Sequence, residues 1–338
     1  MKSLNLSRCA PTCVALALLA GCGGLQPPIG APGSMPQTSA LATHADRGKS
    51  WMLPEAKKIK ELLYLGDGGD VYVYDYKAGR EVGTLTGFNN TTGECVDKKG
   101  DVFLTTSISS TGAVLEYKHG GDNPIATFNT DGHPIGCSVD SASDLAVNNG
   151  VPGGGSDVEV WKHASGNPTS YENEPDCYQM WPPGYDNKGN LFIEIGPNVC
   201  ELAAAGTSLI SVPFNHYLSF PGSIMWDGKH LALTDGGNGE IYRVKEARKG
   251  LDVIGTTQLE DKWCSEVEVS QPFIVGQKNT PINDEQGTVI VGGNDFCLQL
   301  SEQTVPIAYW HYGSGGEPYK FAHPRLSGAS GQAVSIEP

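Results

Sequence analysis

Basic residues are scarce in this chain of 338. Only 23 Lys and Arg stand against 38 Asp and Glu, giving a net charge of −15, and no basic block occurs. Neutralising a phosphate backbone needs clustered cations, so nucleic acid is excluded as a partner. Long apolar runs are missing as well. The run at residues 14–20 is seven residues long, whereas a bilayer-spanning helix needs about 20. No C-x-x-C pair is present, which disfavours zinc and thioredoxin-type chemistry. The G-x-S-x-G elbow, H-E-x-x-H, the Walker loop, the G-x-G-x-x-G fingerprint and the EF-hand loop are all absent. What the chain does have is 44 Gly, 22 Pro and 39% hydrophobic residues. That apolar content excludes disorder over the whole length. Abundant Gly between short apolar runs indicates turn-rich β-structure.

Lys2 and Arg8 precede the apolar run at 14–20, the layout of an export signal. The run leads into Leu19-Ala20-Gly21-Cys22, which resembles a bacterial lipobox. In that signal the Cys is diacylated and the chain is cut before it. An ordinary signal peptide with an incidental Cys is the alternative. Two acyl chains anchor stably where one is marginal. Gly23 follows Cys22; by resemblance to known sorting signals, the absence of an Asp there leaves the outer membrane or cell surface open. Residues 1–21 are therefore expected to be a signal peptide. Residues 22–55, with Pro27, Pro28, Pro32 and Pro36, read as lipidated Cys22 followed by an extended tether. Residues 56–338 form the folded part. Within it, residues 56–63 are the only stretch with helical character, and they are short for a helix.

One signature recurs. Val71-Tyr72-Val73-Tyr74, Val114-Leu115-Glu116-Tyr117 and Val158-Glu159-Val160-Trp161 are followed by Val199-Cys200-Glu201-Leu202, Ile241-Tyr242-Arg243-Val244 and Ile307-Ala308-Tyr309-Trp310. Successive copies lie some forty residues apart, except the last, which follows an insertion around 277–286. Before most copies an Asp opens a polar turn, at Asp97, Asp140, Asp186 and Asp227. After several comes a Gly/Pro turn, as in residues 118–124 and 162–168. Each unit is then four short strands. A period of roughly 40–45 residues with four strands marks a β-propeller blade. Six copies predict an all-β, six-bladed propeller with four-stranded blades. The first unit has only three strands (62–65, 71–76 and 81–86), and an unpaired strand at 332–336 is left at the C-terminus. That strand is expected to complete blade one and close the ring without an open edge. His119 and His163 fall at equivalent outer turns and are read as surface structure.

At this point the chain resembles the six-bladed propellers of the NHL-repeat and gluconolactonase-like superfamily. The clearest stretch runs from Phe220-Pro221-Gly222 through Trp226-Asp227-Gly228 to Leu233-Thr234-Asp235. It is similar to the superfamily's P-x-G…D-G-x-x-L…D blade pattern, and the resemblance covers roughly 62–337. The enzymes of that superfamily hold a divalent cation with a Glu, two Asn and an Asp. Asp235 matches the Asp position. Gly222 stands where one Asn is expected, and neither Glu61 nor Glu94 carries the motif around the early Glu. The resemblance thus implies architecture strongly and lactonase activity weakly.

Six cysteines remain beyond Cys9, Cys13 and Cys22. An even number in an exported chain indicates disulfides, with buried free thiols as the alternative. On the propeller, Cys177 with Cys200 and Cys264 with Cys297 fall at similar places in their blades. Cys95 and Cys137 lie on the innermost strands of adjacent blades and are left for each other.

The ends of the second strands and the links between blades meet at one rim. They contribute Asp67, Asn90, His133, Asn148, Asp176, Asp235 and Asp295, an acidic rim suited to a cation, a sugar or a basic partner. Asp and Asn are also ordinary turn formers. Tyr178, Trp181, Tyr217, Trp226 and Trp263 lie near strand starts, where they stack on sugars or fill the spaces between blades. The expectation is a monomeric, non-catalytic propeller, secreted or lipid-anchored at the cell envelope, that binds a protein or glycan at its rim. The alternatives are a lactonase-like hydrolase using a cation such as calcium at Asp235, and a cell-wall carbohydrate binder.

Overall fold

The computed structural model describes residues 48–108, 111–151, 155–171, 177, 181–195, 198–260, 273–275, 288–291, 307–322 and 330–337. Cys22, Asp176, Cys264, Asp295 and Cys297 lie outside them.

The described strands form six antiparallel sheets. The first holds β1 (Trp51–Met52), β2 (Glu61–Gly66), β3 (Val71–Asp75), β4 (Arg80–Leu85) and, from the far end of the chain, β25 (Gly331–Ile336). The second holds β5 (Thr91–Val96), β6 (Val102–Ile108), β7 (Thr111–Tyr117) and β8 (Pro124–Thr130). The third holds β9 (His133–Val139), β10 (Leu145–Val151), β11 (Gly155–Trp161) and β12 (Thr169–Tyr171). The fourth consists of β13 (Gly184–Tyr185), β14 (Leu191–Ile195), β15 (Asn198–Leu202) and β16 (Ile210–Val212). The fifth has β17 (Pro221–Trp226), β18 (Leu231–Asp235), β19 (Glu240–Ala247) and β20 (Gly250–Gln258). The sixth has β21 (Phe273–Val275), β22 (Thr288–Val291), β23 (Ile307–His311) and β24 (Lys320–Ala322).

Every copy of the sequence signature is the third strand of its sheet, counted from the innermost: β3, β7, β11, β15, β19 and β23. The Asp turns join first strands to second ones. In each, one carboxylate oxygen accepts two backbone N–H groups, as Asp97 does from Lys99 at 2.8 Å and Asp101 at 2.9 Å. Asp140, Asp186 and Asp227 repeat that arrangement. A short carboxylate that satisfies turn amides is why Asp recurs there.

Alternating side chains on the second strands explain the ring. Leu62 and Tyr64 pack against Val102, Leu104 and Tyr117 of the next sheet, while Leu63 and Leu65 pack against Ile307 and Tyr309 of the last. Phe103 joins Leu145, Val147 and Trp161; Ala146 joins Leu191 and Ile193; Phe192 joins Leu231 and Leu233; Ala232 joins Ala308 and Trp310. Period-two alternation sends successive residues to opposite neighbours. The apolar clusters therefore run through all six sheets and return to the first.

The C-terminal strand closes the ring as expected, with β25 antiparallel to β2 and Leu63 opposite Val334. Two expectations need correction. The structure shows five four-stranded blades where six were expected, because the closing sheet has five strands. Its extra strand is β1, from residues assigned to the tether, whose Trp51 and Met52 pair with Thr84 and Gly83 at the outer edge. The helical stretch at 56–63 is a single 3-10 turn, Ala56–Lys58. Its leucines enter β2 instead, since fully buried Leu62 and nearly buried Leu63 gain more from pairing and packing than from helix propensity.

Candidate functional site

The innermost strands surround a central channel. It contains a cavity of about 210 Å³ lined by β5, β9, β17, β25 and the start of the fourth sheet. On β5, β9 and β17 the lining comes from their C-terminal parts: Gly93 to Val96, Gly136 to Val139 and Ser223 to Trp226. Two of these residues are joined, since Cys95 and Cys137 form a disulfide across adjacent innermost strands. A second disulfide links Cys177 to Cys200. Both pairs agree with the sequence expectation, and both are the mark of an extracytoplasmic protein. Among the described residues no helix is long and apolar enough to cross a membrane.

Strand direction puts Asp67, Asn90, His133 and Asp235 at one end of the ring, while Asn148 sits in the middle of β10 opposite Gly136; none of the five lines the cavity. Asp67 is half-buried and accepts the amides of Gly69 and Asp70. Asn90 is exposed and stands near Gly68. His133 is half-buried, and Asn148 is fully buried. The fully described connections at this end (67–70, 86–90, 131–132, 213–220 and 236–239) contain no Lys or Arg. The opposite end carries Lys77, Lys98, Lys118, Lys162, Lys188 and Lys229. These lysines stand among Asp97, Asp101, Asp140, Asp144, Asp186 and Asp227, so what differs between the two ends is where the cations lie.

Asp235 is completely buried and completely occupied. Its Oδ1 accepts the amides of Phe220 and Gly237, each at 3.1 Å. Its Oδ2 accepts the amide of Ser219 and the side-chain Nδ2 of Asn238, each at 2.9 Å. A carboxylate has about four lone-pair positions, and all four are taken here. Among the described residues no three carboxylate, imidazole or thiol groups converge as metal ligands do. These residues do not fit the cation set that the resemblance implies.

Three buried glutamates had no local motif to signal them. Glu194 on β14 accepts the amides of Gly222 at 2.6 Å and Thr234 at 3.0 Å, which ties the fourth sheet to the fifth. Its burial holds the carboxyl well above the usual carboxylate range. Glu159 on β11 accepts Nδ2 of Asn149 at 2.8 Å, and burial pushes it up to about 7. Glu94 lines the cavity. Neither of its oxygens accepts a well-formed hydrogen bond, and both are shielded from solvent. Burial pushes its carboxyl up to about 8, an effect that the backbone of Gly66 and Ala333 offsets only in part. For Glu194 the one available signal was an acid inside an apolar second strand, Leu191-Phe192-Ile193-Glu194-Ile195.

Of the aromatic candidates, Tyr217 is exposed and Trp181 meets Phe220 edge-on at 4.9 Å. Trp226 is half-buried and lines the cavity.

Solved structures share this architecture. The fold is a β-propeller. A protein in a nidogen/laminin complex is 13% identical, with a TM-score of 0.59 over 82% of this chain and 99% of that one. A protein of unknown function from Bacteroides caccae is 12% identical, with a TM-score of 0.56 over 82% of this chain and 100% of its own. The β-propeller domain of Cps50 (Swd1) from Myceliophteria thermophila is 10% identical, with a TM-score of 0.52 over 83% and 88%. At such identities the shared feature is the fold. No protein-family model matches the propeller's sequence, and no curated protein does either.

Proposed function

We propose that this propeller is a non-catalytic binding module, exported and held at the bacterial envelope by a lipid on Cys22, with its ligand site in the central channel. Asp235 carries the reading. It is the residue that best matches a lactonase ligand, yet all its acceptor positions are engaged by the turn and the link that it braces. The channel, by contrast, keeps a cavity with polar groups in its wall. We take the five-stranded closing sheet as the sixth blade of an NHL-like ring, because the apolar clusters pass through it. The acidic end suits a cationic or protein partner, and its cation-free connections support that assignment.

The competing reading is a cation-dependent lactonase-like hydrolase. A calcium titration followed by melting, with a lactone-hydrolysis screen beside it, separates the two. No turnover is expected. Metal-dependent turnover that is lost in Asp235→Asn while the fold survives would overturn the binding reading. Fractionation tests the anchor: Cys22→Ser should release the protein from membranes, and unchanged membrane association would refute lipidation.

A further inference from the structure

We propose that the outer edge of β8 is a docking site for a protein partner, pairing with an extended segment that has basic residues flanking an uncharged stretch. The surface stands apart from the channel and does not depend on the channel's role. A strand at a sheet edge turns the N–H and C=O groups of every second residue outward, where another strand can pair with them. Each sheet of the ring ends in such a strand, and most are protected. β1 covers β4. β20 is strapped near both ends, where the amide of Leu251 donates to the carbonyl of Pro213 at 2.9 Å and the amide of Gly316 to that of Gln258 at 2.8 Å. β12, β16 and β24 are three residues each, too short to template much pairing. β8 has none of these protections. It is seven residues long, and among the described residues no strand lies against its outer side.

Its sequence leaves the edge open. Pro124-Ile125-Ala126-Thr127-Phe128-Asn129-Thr130 contains no charged residue, whereas charge is a common guard on an edge. Its proline stands at the first position, so the other six amides remain. Ile125, Thr127 and Asn129 are exposed. Phe128 holds the strand in place by packing on Phe103 and Trp161. Charge then selects the occupant. Asp122 lies just before the strand and exposed Asp131 just after it. Among the described residues neither forms an ion pair, and the nearby Lys118 is held by Asp101 at 2.6 Å. Two copies paired antiparallel through this edge would set Asp122 of one beside Asp131 of the other, and each copy carries a net charge of −15. Like charges at both ends oppose that dimer, while Lys or Arg flanking a partner strand meets an acid at each end.

The test titrates the full chain with three fluorescent peptides, each a Thr-Val repeat matched to β8 in length. One is flanked by lysines, one by glutamates, and the third is the lysine form N-methylated at every Thr and Val. The lysine peptide should bind. The glutamate peptide should bind about tenfold more weakly, two exposed charge contacts' worth. The N-methylated peptide should not bind, since it has no amides to pair. Thr127→Lys puts a cation on the edge and should weaken the lysine peptide by about tenfold or more, with the melting midpoint of the unliganded protein unchanged. The proposal is overturned if the lysine peptide does not bind at millimolar concentration, if N-methylation makes no difference, or if Thr127→Lys binds as tightly as wild type. A dimer seen by sedimentation and dissociated by Thr127→Lys would show that the edge takes a second copy, which would also overturn it.

Discussion

His119 joins Ser335 across 216 positions of sequence, with Nδ1 2.6 Å from the serine hydroxyl. The other ring nitrogen lies 2.6 Å from the carbonyl oxygen of Ile59, just before β2. Ser335 in turn donates to the carbonyl of Gly100 at 2.5 Å, and the amide of Gly120 donates to the buried hydroxyl of Tyr64. The turn after β7 therefore clips the second sheet to the closing strand at the place where the chain ends meet. This corrects the reading of His119 as surface structure equivalent to His163. The two histidines share a turn position, but His163 is 75% exposed and caps only its own neighbourhood.

His119→Ala should lower unfolding stability by about 1–3 kcal/mol, because it leaves the Ser335 and Ile59 groups unmatched in a part-buried place. His163→Ala should change it by less than about 0.5 kcal/mol, as exposed substitutions do. Urea denaturation of both variants checks this. Equal effects would mean that the closure does not depend on His119.

The disulfide between Cys95 and Cys137 clamps innermost strands of adjacent sheets over a sequence separation of 42. Removing it with Cys95→Ala and Cys137→Ala together should lose about 2–4 kcal/mol. Alkylation followed by mass measurement should label these four described cysteines only after reduction. Labelling of Cys95 or Cys137 in unreduced protein would refute the first bridge, and labelling of Cys177 or Cys200 the second.

Much of this architecture was legible because it is local and repeated. The third-strand signature, the Asp turns and the unpaired strand at 332–336 each declare themselves within a few residues. β1 did not, since Trp51 and Met52 become a strand only by meeting the edge of β4. The role of His119 was hidden for a similar reason. Its partner lies at the other end of the chain, and the turn sequence Lys-His is the same at His163, where no such partner exists. The cavity was illegible too. Glu94, Ser138 and Ser223 come from three different sheets, and no single segment carries a pattern for them. Asp235 was legible as a residue but not as an environment, because the sequence does not display its four donors.

The buried glutamates predict an unusual pH response. Glu94 shifts from the ordinary value of 4.5 to about 8 in the folded protein, Glu159 shifts to about 7, and Glu194 moves the same way. Between the unfolded and folded values the native state retains protons that the unfolded chain has lost. Stability should therefore fall as pH rises from about 5 to 8. Glu94→Gln keeps the shape and removes the titration, so it should flatten part of the slope and stabilise the protein most near pH 8. Melting temperatures across this range, for wild type and variant, decide it. A slope unchanged by Glu94→Gln would mean that Glu94 ionises freely in the folded state.

Asp235 gives the sharpest contrast between a structural carboxylate and a catalytic one. Asp235→Ala strands the amides of Ser219, Phe220 and Gly237 together with the Asn238 side chain, and should cost about 2–4 kcal/mol, at the upper end for a broken buried network. Asp235→Asn keeps one acceptor oxygen for the Phe220 and Gly237 amides but turns an N–H₂ group toward the Ser219 amide and Asn238. Its loss should be intermediate, and it should not be rescued by calcium. If Asp235 instead existed to hold a cation, its neighbours would be braced by other means. Both variants would then fold with near wild-type stability and differ from it only in metal response. Thermal melting with and without calcium distinguishes these outcomes, and the four donors already aimed at the carboxylate favour the first.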